Sequence, residues 1–119
     1  MQLKLLKGYP DFMGKRATFV GYGNGPTSYV QFATATAPAV GSGGDPVTLP
    51  LANYYIDSLD CSGQGTISGN YYVRAQSYGV GPRQQWALIW YSSGGTTQVT
   101  AGTNLSAESI QIGGKCGQF

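Results

Sequence analysis

The longest apolar run in the chain is Trp86 to Tyr91, with Trp86, Leu88 and Trp90 on one side of an extended backbone and Ala87, Ile89 and Tyr91 on the other. Successive side chains of a strand point to opposite faces, so the segment 85–92 reads as a strand that is apolar on both. Such a strand lies mid-sheet under cover on both sides, or has its outer face buried by a neighbouring subunit. Elsewhere the alternation marks one dry face only. Leu3 and Leu5 alternate with Gln2 and Lys4 in a short first strand, and Ile110 and Ile112 flank Gln111 in a last strand expected to end at Gly113-Gly114.

Between these ends, the β-rich runs 17–22 and 28–34 are separated by Gly23-Asn24-Gly25-Pro26-Thr27 and predict a hairpin. In its second arm Val30, Phe32 and Thr34 form the drier side, opposite Tyr29, Gln31 and Ala33. Further strands are expected at 47–50, 53–59, 66–68 and 70–76, with a tight turn at Gly94-Gly95 leading into 96–100. Residues 35–46 have no periodicity and read as a flexible loop, while Asn104 or Ser106 would start one helical turn. The expectation is an all-β chain, one domain spanning 1–119, built as a single β-sandwich or jelly-roll-like barrel of about eight or nine short antiparallel strands.

Composition agrees with that reading. Leu, Ile, Val and Phe make up only 24 of 119 residues, so the nine Tyr and two Trp are needed to complete a core. Nineteen Gly and six Pro punctuate the chain, and good helix formers are not spaced at a helical repeat.

The chemistry the chain lacks narrows its function. It has no His, which removes Ser-His-Asp and Cys-His catalysis, and neither Cys61 nor Cys116 has a base to activate it. The two cysteines lie far apart with no Cys-x-x-Cys, so no zinc or redox site is expected; free buried thiols and a pair both stay open. Asp57 and Asp60 are the one close carboxylate pair, and three-residue spacing on a strand points them to opposite faces, unlike a glycosidase pair. They also lack the Asp-x-Asp-x-Asp-Gly ladder of a calcium loop. Gly21-Tyr22-Gly23-Asn24-Gly25-Pro26 has Pro26 where a dinucleotide fingerprint needs its third glycine. No enzyme activity, metal or cofactor is expected.

No apolar stretch has signal-peptide or membrane-span length, so neither cleaved secretion nor a membrane partner is expected. Net charge is +2, but residues 1–16 hold four cations, Lys4, Lys7, Lys15 and Arg16, against Asp11 alone. This is a basic N-terminal arm or a lysine-guarded edge strand. Single-stranded nucleic acid would need rings and cations on one sheet face, as Tyr71-Tyr72-Val73-Arg74 with Arg83 and Trp86 could supply, but seven cations in all make a weak footprint and this partner is not expected. A lectin-like β-sandwich offers its tyrosines to sugar rings, and Tyr54, Tyr55, Tyr71 and Tyr72 are the candidates for glycan binding.

Assembly accounts for more of these features together: a thin core rich in Tyr and Gly, 10% charged residues, a strand apolar on both faces and a basic arm. With its Gly/Thr/Ser/Tyr-rich short strands and its Gly-rich end (Gly113-Gly114-Lys115-Cys116-Gly117-Gln118-Phe119), the whole chain resembles in style the small all-β structural proteins of tailed-phage virions, the capsid decoration or cement type. The resemblance implies a virion protein made in the host cytoplasm. Its partners would be itself, as a homo-oligomer and often a trimer, and a major capsid protein held noncovalently. On that reading Lys4, Lys7, Lys15 and Arg16 would meet an acidic shell, and Trp86, Trp90 and Tyr91 would form the core or a subunit interface.

Overall fold

A computed structural model describes residues 1–7, 16–33, 43–50, 54–61, 64–78, 85–92 and 94–118. The strands are β1 (Lys4–Lys7), β2 (Arg16–Asn24), β3 (Asp45–Pro46), β4 (Tyr54–Asp60), β5 (Gln64–Gly65), β6 (Tyr71–Tyr78), β7 (Gln85–Ser92) and β8 (Ser109–Gln118). They pair antiparallel in two four-stranded sheets, β1-β2-β8-β4 and β3-β7-β6-β5, and the described residues include no helix. Of the expected β-sandwich or jelly-roll-like barrel of about eight or nine strands, the described residues form an all-β sandwich of eight.

One face of each sheet supplies the core. Phe19, Ile110, Ile112, Cys116, Ile56 and Leu59 of the first sheet meet Val73, Leu88 and Trp90 of the second, all buried. A smaller cluster lies on the opposite face of the second sheet, where Ala87 and Ile89 of β7 pack with Tyr78 and Phe32. The chain itself thus covers both apolar faces of β7, the first of the two alternatives its sequence left open.

Both outer strands of the first sheet are irregular. The β1–β2 register shifts between Leu5 and Lys7, and the β4–β8 register shifts between Ile56 and Ser58. Irregularity of this kind, with the exposed Lys4 on β1 and Asp60 on β4, disfavours edge-to-edge growth of the sheet.

Several expected elements differ. The segment 28–33 is not the second arm of a hairpin, because β2 pairs with β1 and β8 instead. Tyr29 exchanges backbone bonds with the 102–103 turn, while Val30 bridges Gly44. Tyr29 and Phe32 are buried and Val30 is 59% exposed, so the predicted Val30/Phe32 face does not exist. The physical reason is Gln98, whose side-chain amide accepts from the Phe32 N–H and donates to the Phe32 carbonyl, taking the place of a partner strand. Thr34 lies outside the described residues, as does most of the predicted loop 35–46, but the end of that loop is β3, paired with Leu88 and Ala87. Of the strand expected at 47–50, only Thr48 bridges, to Gln2.

Residues 66–68 form a turn held by Thr66 and Ser68, the strand lying just before it as β5. The 96–100 segment makes a single bridge from Gln98 to Tyr91. At Asn104 there is no helical turn; its carboxamide oxygen accepts from the Ser106 N–H and hydroxyl, a local bond that competes with helix.

The last strand does not stop at Gly113-Gly114 but runs to Gln118. Gly114 faces the core, where a Cβ would strike the Ser58 carbonyl and approach the Phe19 ring to 3.0 Å. Glycine here seats Phe19 rather than breaking the strand.

Candidate functional site

Among the described residues a cleft of about 510 Å³ lies beside β4, within the ~300–1,000 Å³ of small-ligand sites. One wall is Tyr54, Tyr55 and Ile56, the first residues of β4. The facing wall is Gln85 and Trp86 at the start of β7, with Tyr78 at the end of β6. Pro46 to Leu49 close the remaining side.

Alternation along β4 explains its contribution. Tyr54 and Ile56 point inward, Tyr54 packing on the core, while Tyr55 lies on the opposite face. There it rests on β8 at Gly117: a Cβ at that position would come within 2.6 Å of the Tyr55 ring and hydroxyl. Glycine at position 117 therefore creates the seat for this ring. Tyr54, Tyr55 and Trp86 are half-buried, Gln85 is exposed, and Val47, Ile56 and Tyr78 are buried. Burial pushes the Tyr78 phenol above its ordinary pKa, so it stays a neutral donor.

A second polar arrangement lies inside the sandwich. Asp45 is 2% exposed; its carboxylate accepts from the Trp90 indole N–H at 3.1 Å and from the Met1 ammonium at 2.7 Å, which also donates to the Pro46 carbonyl. Burial raises the Asp45 pKa, opposed by the ammonium and the indole donor. Nearby, the Tyr29 hydroxyl donates to Gln98 and accepts from the Trp90 backbone N–H. Desolvation pushes Tyr29 up to about 12. These groups are mutually satisfied and hold β3, β7 and the chain start together, so they are structural.

The structure separates the residues singled out from sequence. Trp90 is fully buried in the core, with Tyr71 packed edge-on against it at 6.2 Å, so neither ring is offered to a ligand. Tyr72 is 39% exposed on the outer face of the second sheet. On the same face Arg74 sits 5.8 Å from the centre of the half-buried Tyr91 ring. Trp86 points the other way, into the cleft, so the nucleic-acid platform drawn from Tyr72, Arg74 and Trp86 is not brought together; Arg83 lies outside the described residues. Of the four glycan candidates, Tyr54 and Tyr55 share the cleft and Tyr71 and Tyr72 do not. Lys4 is exposed on edge strand β1; Lys7 ends that strand, Arg16 begins β2, and Lys15 lies outside the described residues.

Sequence reasoning missed Gln85, Tyr78 and the 46–49 segment, which lie on different elements and meet only in the fold. Among the described residues no group of three or more His, Cys, Asp and Glu could hold a metal ion, and both cysteines are free and buried. Comparison with protein-family models, with curated proteins and with solved structures finds no match.

Proposed function

We propose that the chain is a non-enzymatic virion structural protein of the capsid-decoration type, acting through noncovalent contacts with neighbouring subunits. The observation that carries this reading is the outer face of the first sheet. Its described side chains include Lys4, Thr18, Val20, Tyr22, Gln111 and Lys115, with Gly113 between them and Tyr55, Ser58 and Asp60 of β4 continuing the face beside β8. Gly113 and the short Thr18, Val20 and Ser58 keep the middle of this face low, and Lys4 and Lys115 are the cations it would offer to an acidic protein surface, with Asp60 at its β4 edge. Lys4 belongs to the basic arm singled out from sequence. Self-sufficient cover of β7 and irregular edge strands also favour a rigid unit that docks by a face.

The test is co-expression with the capsid protein of the genome that encodes the chain, followed by sedimentation of particles. The chain should travel with the particles and be released by Lys4→Glu with Lys115→Glu. Absence from the particles, or full occupancy by the charge-reversed variant, would count against the reading. Light scattering of the purified chain adds its mass: a closed oligomer supports a symmetric decoration unit.

A second reading, a carbohydrate-binding β-sandwich, is favoured by one observation: Tyr54 and Tyr55 share the cleft with Trp86.

A further inference from the structure

We infer that the cleft beside β4 is a site for a neutral saccharide, held against the rings of Tyr54, Tyr55 and Trp86, with Gly117 as the residue that positions Tyr55. The inference deepens the carbohydrate reading and rests on it.

Three properties of the cleft select this ligand class. First, a pyranose ring presents a face of C–H bonds and a rim of hydroxyls, and half-buried aromatic side chains offer an apolar body with a wet edge. Three such rings line one recess of about 510 Å³, a volume for a compact ligand rather than an extended chain. Secondly, each hydroxyl of a sugar both donates and accepts. The Gln85 amide and the Thr48 hydroxyl do likewise, so donors and acceptors can be matched on both sides. Thirdly, among the described residues none that lines the cleft is charged. A phosphate, sulfate or carboxylate entering here would lose water and find no counter-ion among the described lining residues, which disfavours anionic sugars.

Gly117 acts through Tyr55. The ring occupies the space a side chain at 117 would take, and β8 thereby fixes the outer lip of the cleft. Gly113 lies on the same face of β8, but a Cβ there would make only ordinary contact, at 3.4 Å from the Phe19 carbonyl oxygen. The two glycines therefore separate a positioning effect from a general effect of adding a methyl group.

The experiment is a calorimetric titration of the full chain with neutral oligosaccharides of glucose, galactose, mannose and N-acetylglucosamine, and with their sialylated or sulfated counterparts. A neutral member should bind, with its anionic counterpart about tenfold weaker or worse. Trp86→Ala and Tyr55→Ala should each weaken binding about tenfold, Gly117→Ala should weaken it without lowering the enthalpy of unfolding, and Gly113→Ala and Tyr72→Ala should leave it unchanged. Tyr55→Phe, which keeps the ring, should retain most of the affinity and guards against misfolding of the alanine variant. Binding that survives both Trp86→Ala and Tyr55→Ala would move the saccharide elsewhere, overturning this site while leaving the carbohydrate reading standing. Silence across the panel, or binding of a proline-rich peptide in place of any sugar, overturns both and leaves the decoration reading to its own test.

Discussion

Two tyrosine pairs open two strands of this sandwich, Tyr54-Tyr55 on β4 and Tyr71-Tyr72 on β6, and they end in unlike surroundings. In each pair the first ring points inward and the second outward, as strand geometry requires. β6 is an interior strand, so its inward ring, Tyr71, meets Trp90 edge-on in the closed core. β4 is an edge strand, so its inward ring, Tyr54, borders a gap, and the outward ring, Tyr55, is seated on Gly117 at the same gap. Identical dipeptides thus become core packing in one place and the wall of a cleft in the other, and strand position in the sheet decides which.

The comparison breaks most severely on the packed side. Trp90→Ala should cost about 4 kcal/mol in chemical denaturation, since it empties the space beside Tyr71 and strips Asp45 of its indole donor. Tyr71→Ala should cost about 3 kcal/mol by the same measurement.

Alkali probes the same interior without mutation. Tyr29, beside Trp90, is pushed up from its ordinary 10.0 to about 12, and Cys61 from 9.0 to about 12, both chiefly by loss of water. The unfolded chain gives up these protons first, so stability is fully present below about pH 9 and falls as pH rises towards 12. Thermal midpoints recorded across that range should decline, and the decline should lessen in Cys61→Ala, which has no thiol to ionise at that position.

On the cleft side the effects are smaller. Gly117→Val should cost about 1–3 kcal/mol, because the added atoms must displace the Tyr55 ring. Tyr72→Ala, on the exposed face, should change stability by no more than about 0.5 kcal/mol, and Tyr55→Ala should fall between these two in the same denaturation series.

How legible each region was in the sequence follows the same division. β7 was read to its bounds because six consecutive apolar residues permit little but a covered strand. The 28–34 run has the same β-rich composition, yet its backbone bonds go to the 102–103 turn, Gly44 and the Gln98 side chain, partners far away in sequence that local alternation cannot announce. Gly113-Gly114 looked like a stop because glycine is read as a breaker; its meaning as a seat for Phe19 exists only once β2 lies alongside. The candidate site was half visible. Tyr54 and Tyr55 stood out as exposable rings, but Gln85, Tyr78 and 46–49 become their neighbours through sheet packing, which no local pattern encodes.

Cys61 and Cys116 turn the sandwich into its own clock. Both thiols are buried and held protonated, so a thiol-alkylating reagent can reach neither until the structure around it opens. Cys61 follows the edge strand β4, where local opening should expose it first, whereas Cys116 sits in β8 between two hydrogen-bonded neighbours and should wait for the sheet to part. Timed by mass spectrometry, single and double labelling would report edge breathing and whole-domain opening as separate rates in one unmodified chain.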